Sequence, residues 1–182
     1  MSDFETAIKI TLVHEGGFQA NPNDHANWSS GKIGEGELIG TKYGITALDM
    51  PGVAIRDLTV EQAVEYYREH YWKSGYSQIN SQTIANKLFD LGVLFGVAEA
   101  VVIMQLTLQG DDESLKTDGI FGNETLAIIN AVDETSLLKS YEGNMATHAF
   151  NIITKNPAER GFVQGWCRRI GCYPETPCEK CQ

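Results

Sequence analysis

Apolar residues recur at helical spacing from the start of the chain, with Phe4, Ala7, Ile8, Thr11 and Leu12 forming one stripe. Ser2 and Glu5 stand before it in capping-box spacing, and Gly16-Gly17 ends it. Glu15 continues the stripe, which sets a carboxylate on the core-facing side of a helix end. From 21 to 40 the pattern gives way to Gly, Asn, Ser and scattered charge, the make-up of a functional loop or short hairpin. Thr59 and Gln62 form a second capping box for a helix whose buried face reads Val60, Ala63, Val64, Tyr67 and Tyr71. Ile84, Leu88 and Leu91 mark a third helix. The stretch 97–108 is apolar nearly all round, which predicts the central helix of a bundle. Asp118-Gly119 predicts a turn, and Asn123 a cap for a short helix carrying Leu126 and Ile129. Thr135 is expected to start a long helix with Leu138, Tyr141, Met145 and Ile152 on one side, ending near Asn156-Pro157. Asn156, Pro157 and Glu159 then open a last helix through Ile170. The pattern predicts a mainly α fold, a helical bundle with one irregular, partly β loop region.

With 182 residues the chain can bury a sizeable core. Its 42% hydrophobic and 21% charged residues fit a soluble globular protein. The net charge of -10 argues against a nucleic-acid partner, because phosphates require clustered Lys and Arg. No stretch approaches the roughly 20 apolar residues of a membrane span, so no stable membrane insertion is expected. The first residues have no basic region followed by an apolar run, so the reading expects synthesis in the cytoplasm without a signal peptide. All four cysteines, Cys167, Cys172, Cys178 and Cys181, lie in a tail at 167–182. Their spacing allows a small structural zinc site or two disulfides, and neither is required by the rest of the fold.

Two carboxylates suit glycoside hydrolysis, which needs a protonated acid for the leaving oxygen and often an ionised partner. Glu15 ends an apolar stripe, and an apolar setting favours the neutral, proton-donating form of a carboxyl. Asp24 lies in the polar loop beside Asn21, Asn23 and Asn27, a setting that favours the ionised form. The alternative is structural: Glu15 as a helix-end carboxylate and Asp24 as an Asx-turn residue.

His14-Glu15-Gly16-Gly17-Phe18, then Asn21-Pro22-Asn23-Asp24, then Gly40-Thr41-Lys42-Tyr43-Gly44-Ile45-Thr46 resemble the N-terminal signature of the phage and prophage N-acetylmuramidases of glycoside hydrolase family 108. Tyr71-Trp72, Phe89-Asp90 and the stretch 105–109 are similar to the same family. Asp118-Gly119-Ile120-Phe121-Gly122-Asn123-Glu124-Thr125-Leu126 resembles its C-terminal peptidoglycan-binding part. The resemblance covers about residues 4–170. It implies a lysozyme-like α+β fold, a catalytic lobe at 1–92, and a helical lobe at 93–182 that helps to hold the glycan. It also makes Glu15 the catalytic acid. The order Glu, eight residues, Asp, then Thr is similar to T4-type phage lysozymes, which gives Asp24 and Thr41 the carboxylate and water-positioning roles. Thr46 is the rival hydroxyl, and Tyr43 and Trp72 are candidate sugar-stacking rings. For Trp72 the competing reading is core packing.

Two departures from the family pattern stand out. The stretch 26–39 is inserted between the aspartate and the threonine, and it brings Glu35 and Glu37 as rivals to Asp24. Leu94 stands where the family often shows Asn. What the resemblance implies is a hydrolase of peptidoglycan strands without an organic cofactor, a phage or prophage endolysin carried to the wall through a holin pore or, in another setting, by a secretion machine; a monomer is expected. A non-catalytic peptidoglycan-binding module and a lytic transglycosylase are the competing functions.

Overall fold

The computed structural model describes residues 1–110 and 115–171. Among them the fold is mainly α, with one two-stranded antiparallel sheet, as a lysozyme-like α+β fold requires. Cys172, Cys178 and Cys181 lie outside the described residues. The chain forms two compact units. One is Ile8–His70, and the other joins Met1–Ala7 to the described residues from Tyr71 to Gly171.

Helix α1, Phe4–Glu15, starts one residue later than the capping pattern suggested. Asp3, not Ser2, is its cap: Asp3 Oδ2 accepts from the Thr6 amide at 2.8 Å and from the Thr6 hydroxyl at 2.9 Å. The Ser2 hydroxyl instead donates to the carbonyls of Ile79 (2.7 Å) and Ser81 (3.2 Å), long-range partners invisible to local spacing. In the unit Ile8–His70 the chain after α1 runs through a loop with a one-turn 3-10 helix at His25–Asn27. Strands β1 (Thr41–Lys42) and β2 (Ile45–Thr46) follow. Helix α2, Val60–Tyr71, opens on the predicted Thr59/Gln62 box, with Thr59 N to Gln62 Oε1 at 2.9 Å and Gln62 N to Thr59 Oγ at 3.3 Å. Ala63 and Tyr67 are its buried residues.

The second unit is a bundle of α3 (Gln82–Phe95), α4 (Val97–Gln109), α5 (Asn123–Ala131), α6 (Glu134–Lys155) and α7 (Val163–Gly171). The most enclosed helix is α3, not the apolar α4: all residues from Ile84 to Gly92 are buried, whereas Leu106 of α4 is 48% exposed. Polar residues disguised α3 in the sequence, and each is paired. Lys87 Nζ donates to the carbonyls of Arg169 (2.9 Å) and Ile170 (2.8 Å) at the end of α7 and pairs with Glu142 at 3.0 Å. A cation there also complements the negative end of the α7 dipole. Asp90 takes a two-pronged bond from Arg169, Nε to Oδ2 at 3.1 Å and the second guanidinium nitrogen to Oδ1 at 3.0 Å.

Two more helix starts differ from expectation. Gly122 precedes α5 and Asn123 is already helical, without a side-chain cap. Asp133, not Thr135, caps α6 by accepting from the Ser136 amide at 2.9 Å. The end of α6 at Asn156 is as predicted.

Candidate active site

Glu15 is the last residue of α1, and its half-buried side chain meets the β1–β2 hairpin of its own unit. The hairpin pairs Thr41 with Thr46 and Lys42 with Ile45, which leaves Tyr43 and Gly44 as a two-residue turn. Both have positive φ, 52° at Tyr43 and 74° at Gly44, the requirement of a type I′ turn. Asn-Gly would adopt this without strain, whereas Tyr43 carries a side chain in the left-handed region. A Cβ on Gly44 would overlap Glu15 Oε2 and come within 2.7 Å of the Tyr67 hydroxyl. Glycine at 44 thus serves the turn and also makes room for the carboxylate. The Tyr67 hydroxyl donates to the Tyr43 carbonyl at 2.8 Å.

The other predicted carboxylate lies in a connected polar network of the same unit. Asp24 caps the one-turn helix through Oδ1, which accepts from the Ala26 amide at 3.0 Å. Its Oδ2 accepts from Gln19 Nε2 at 3.3 Å. Gln19 Oε1 in turn accepts from Asn27 Nδ2 at 2.9 Å, and Asn27 Oδ1 accepts from the Thr41 hydroxyl at 2.7 Å. Asp24 and Thr41 are therefore joined through Gln19 and Asn27, two residues that sequence reasoning missed. Asn27 is 1% exposed, and its carbonyl also accepts from the amides of Ile39 and Gly40. A buried Asn in a polar loop was the available signal, but among several Asn residues nothing local singled it out. Gly40 lets the loop close: a Cβ there would stand 2.6 Å from the Gln19 carbonyl and 2.7 Å from the Phe18 ring.

The insertion 26–39 closes on itself above Asn27. Trp28 bridges to Leu38, and its indole N–H donates to the Pro22 carbonyl at 2.9 Å. Glu35 and Glu37 are exposed, Glu35 pairing with Lys32 at 3.5 Å, and neither enters the Asp24 network. The Thr46 hydroxyl is occupied in a local turn, donating to Asp49 Oδ2 at 2.7 Å and accepting from the Leu48 amide at 3.1 Å. Trp72 packs edge-on with Phe4, Tyr76 and Phe89 at 5.5, 5.5 and 5.6 Å between ring centroids, and its N–H donates to Ser77. That is the environment of a packing tryptophan. Leu94 is half-buried in the last turn of α3.

Residues 8–96 match the family model described as Glycosyl hydrolase 108. The chain carries a family 108 glycosyl hydrolase domain. Residues 99–171 match the model described as a Predicted Peptidoglycan domain, and together the two make the protein a peptidoglycan hydrolase. Among solved structures it is similar to SagA from Brucella abortus, at 19% identity and a TM-score of 0.62 over 95% of this chain and 97% of that one, which is a likeness of fold. Comparison with curated proteins finds no match.

In the hydrolase's peptidoglycan domain the Asp-Gly-x-x-Gly-x-x-Thr segment folds around one buried amide. Gln105 Nε2 donates to Asp118 Oδ1 (3.0 Å), the Ile120 carbonyl (3.1 Å) and the Thr125 hydroxyl (3.3 Å), while Gln105 Oε1 accepts from the Gly119 amide at 2.9 Å. Bonds from the Ile120 amide and Gln105 hold the Asp118 carboxyl below its ordinary range. The motif residues are thus the clasp that joins α4 to α5.

Proposed function

We propose that the hydrolase is an N-acetylmuramidase that cleaves the β-1,4 bond between N-acetylmuramic acid and N-acetylglucosamine, with Glu15 as general acid. Glu15 gives its proton to the leaving glycosidic oxygen as the C1–O bond breaks, and water supplies the hydroxyl at C1. Asp24 stabilises the oxocarbenium-like centre or takes the proton of that water, and Thr41 orients the water through the lone pairs that its bond to Asn27 leaves open. The observation that carries the reading is the seat of Glu15: a helix-end carboxylate fitted against the one turn of the hairpin whose glycine leaves it space. The network from Asp24 to Thr41 supports the other two roles, since it fixes both groups through side chains of the same unit. As a physiological setting, the resemblance to phage and prophage muramidases favours an endolysin that reaches the wall through a holin.

Product chemistry tests the bond assignment. Purified sacculi digested by the protein should yield fragments ending in a reducing N-acetylmuramic acid by mass spectrometry. Fragments ending in N-acetylglucosamine would move the cut to the other linkage, and 1,6-anhydro ends would make it a transglycosylase.

A further inference from the structure

We infer that Tyr67 is a positioning residue for the Glu15 carboxyl, acting through the Tyr43–Gly44 turn. The inference rests on Glu15 being the general acid. Tyr67 is 2% exposed, so its ring is fixed by packing, and its hydroxyl proton goes to the Tyr43 carbonyl at 2.8 Å. The same oxygen stands beside Gly44, on which Glu15 Oε2 also closes. The turn is thus held from α2 by a hydrogen bond at Tyr43, and Glu15 is seated against that turn at Gly44, beside the same hydroxyl.

Two features make such a hold necessary. Tyr43 sits at φ 52°, a conformation that strains a non-glycine residue and persists only where surrounding structure fixes it. Glu15 stands at the C-terminal end of α1, directly before Gly16 at φ 71°, where the backbone stops restraining a side chain. A proton donor at a helix end needs an external surface to set its position, because a misplacement of about 1 Å can cost on the order of a hundredfold in rate. A phenylalanine at 67 would fill the same volume. What the hydroxyl adds is a fixed polar atom that ties the turn to α2.

The test compares wild type, Glu15→Gln and Tyr67→Phe on solubilised peptidoglycan strands, measuring kcat and KM separately and the urea unfolding midpoint of each. For Tyr67→Phe the expected result is a fall in kcat of roughly ten- to hundredfold, with KM close to wild type and an unfolding midpoint lowered only by the loss of one hydrogen bond, so that the folded fraction under assay conditions is unchanged. An unchanged kcat would overturn the inference while leaving Glu15 as the acid, provided Glu15→Gln is inactive. A fall in kcat that merely tracks a lower unfolding midpoint would make Tyr67 a packing residue and also overturn it. If Glu15→Gln cuts as fast as wild type, the reading of Glu15 fails and the inference falls with it.

Discussion

Gly44 and Glu15 fit together so closely that a methyl group on the glycine would overlap the glutamate's Oε2. The sequence signature that holds a glutamate before two glycines and, farther on, a Tyr-Gly pair thereby acquires a physical meaning: the second element is the seat of the first.

Gly44→Ala should then fail twice over. The left-handed φ of 74° costs an alanine about 1–2 kcal/mol, and the new methyl group displaces the carboxylate. Activity on sacculi is expected to drop by on the order of a hundredfold, more than the loss of folded protein accounts for. Activity measured at equal folded fraction checks this, and wild-type rates would contradict it.

Asn27→Ala should disconnect Asp24 from Thr41. It takes the acceptor from the half-buried Thr41 hydroxyl and one donor from Gln19 Oε1, which keeps the Asn21 amide, at a cost of about 1–3 kcal/mol by urea unfolding. Activity should fall as well. Glu35→Gln and Glu37→Gln, on the exposed insertion, should leave the rate as it was; a large loss in either would move the second carboxylate into the insertion.

The buried pair of Asp90 and Arg169 gives a prediction in the other unit. Arg169→Met takes the guanidinium away from a buried carboxylate and should cost about 3–5 kcal/mol. Adding Asp90→Leu should recover most of that loss, which a urea unfolding series on the two variants will register. A double variant as unstable as the single one would contradict the account.

Where the sequence was legible, the signal was local and periodic. The Thr59/Gln62 box, the end of α6 at Asn156 and the Asp118-Gly119 turn each rest on bonds between residues a few positions apart. Failures arose where a distant partner decided the outcome. Ser2 reaches Ile79 and Ser81 and cedes the α1 cap to Asp3. The enclosed helix α3 reads as amphipathic until Lys87 and Asp90 are seen to be neutralised from α6 and α7. At the site, Glu15 was readable from its stripe and its motif, but Tyr67 looked like any buried aromatic of a helix face. Gln19 and Asn27 carried no pattern of their own, because their importance lies in joining Asp24 to Thr41 across the loop.

Release of reducing ends from purified sacculi by wild type and by Glu15→Gln, both matched for folded stability, tests the central claim most directly. The substitution keeps the shape of the side chain and removes its proton. The account predicts that wild type cuts and that the variant loses about a hundredfold or more. Equal cutting by the two proteins would contradict it and place the acid elsewhere.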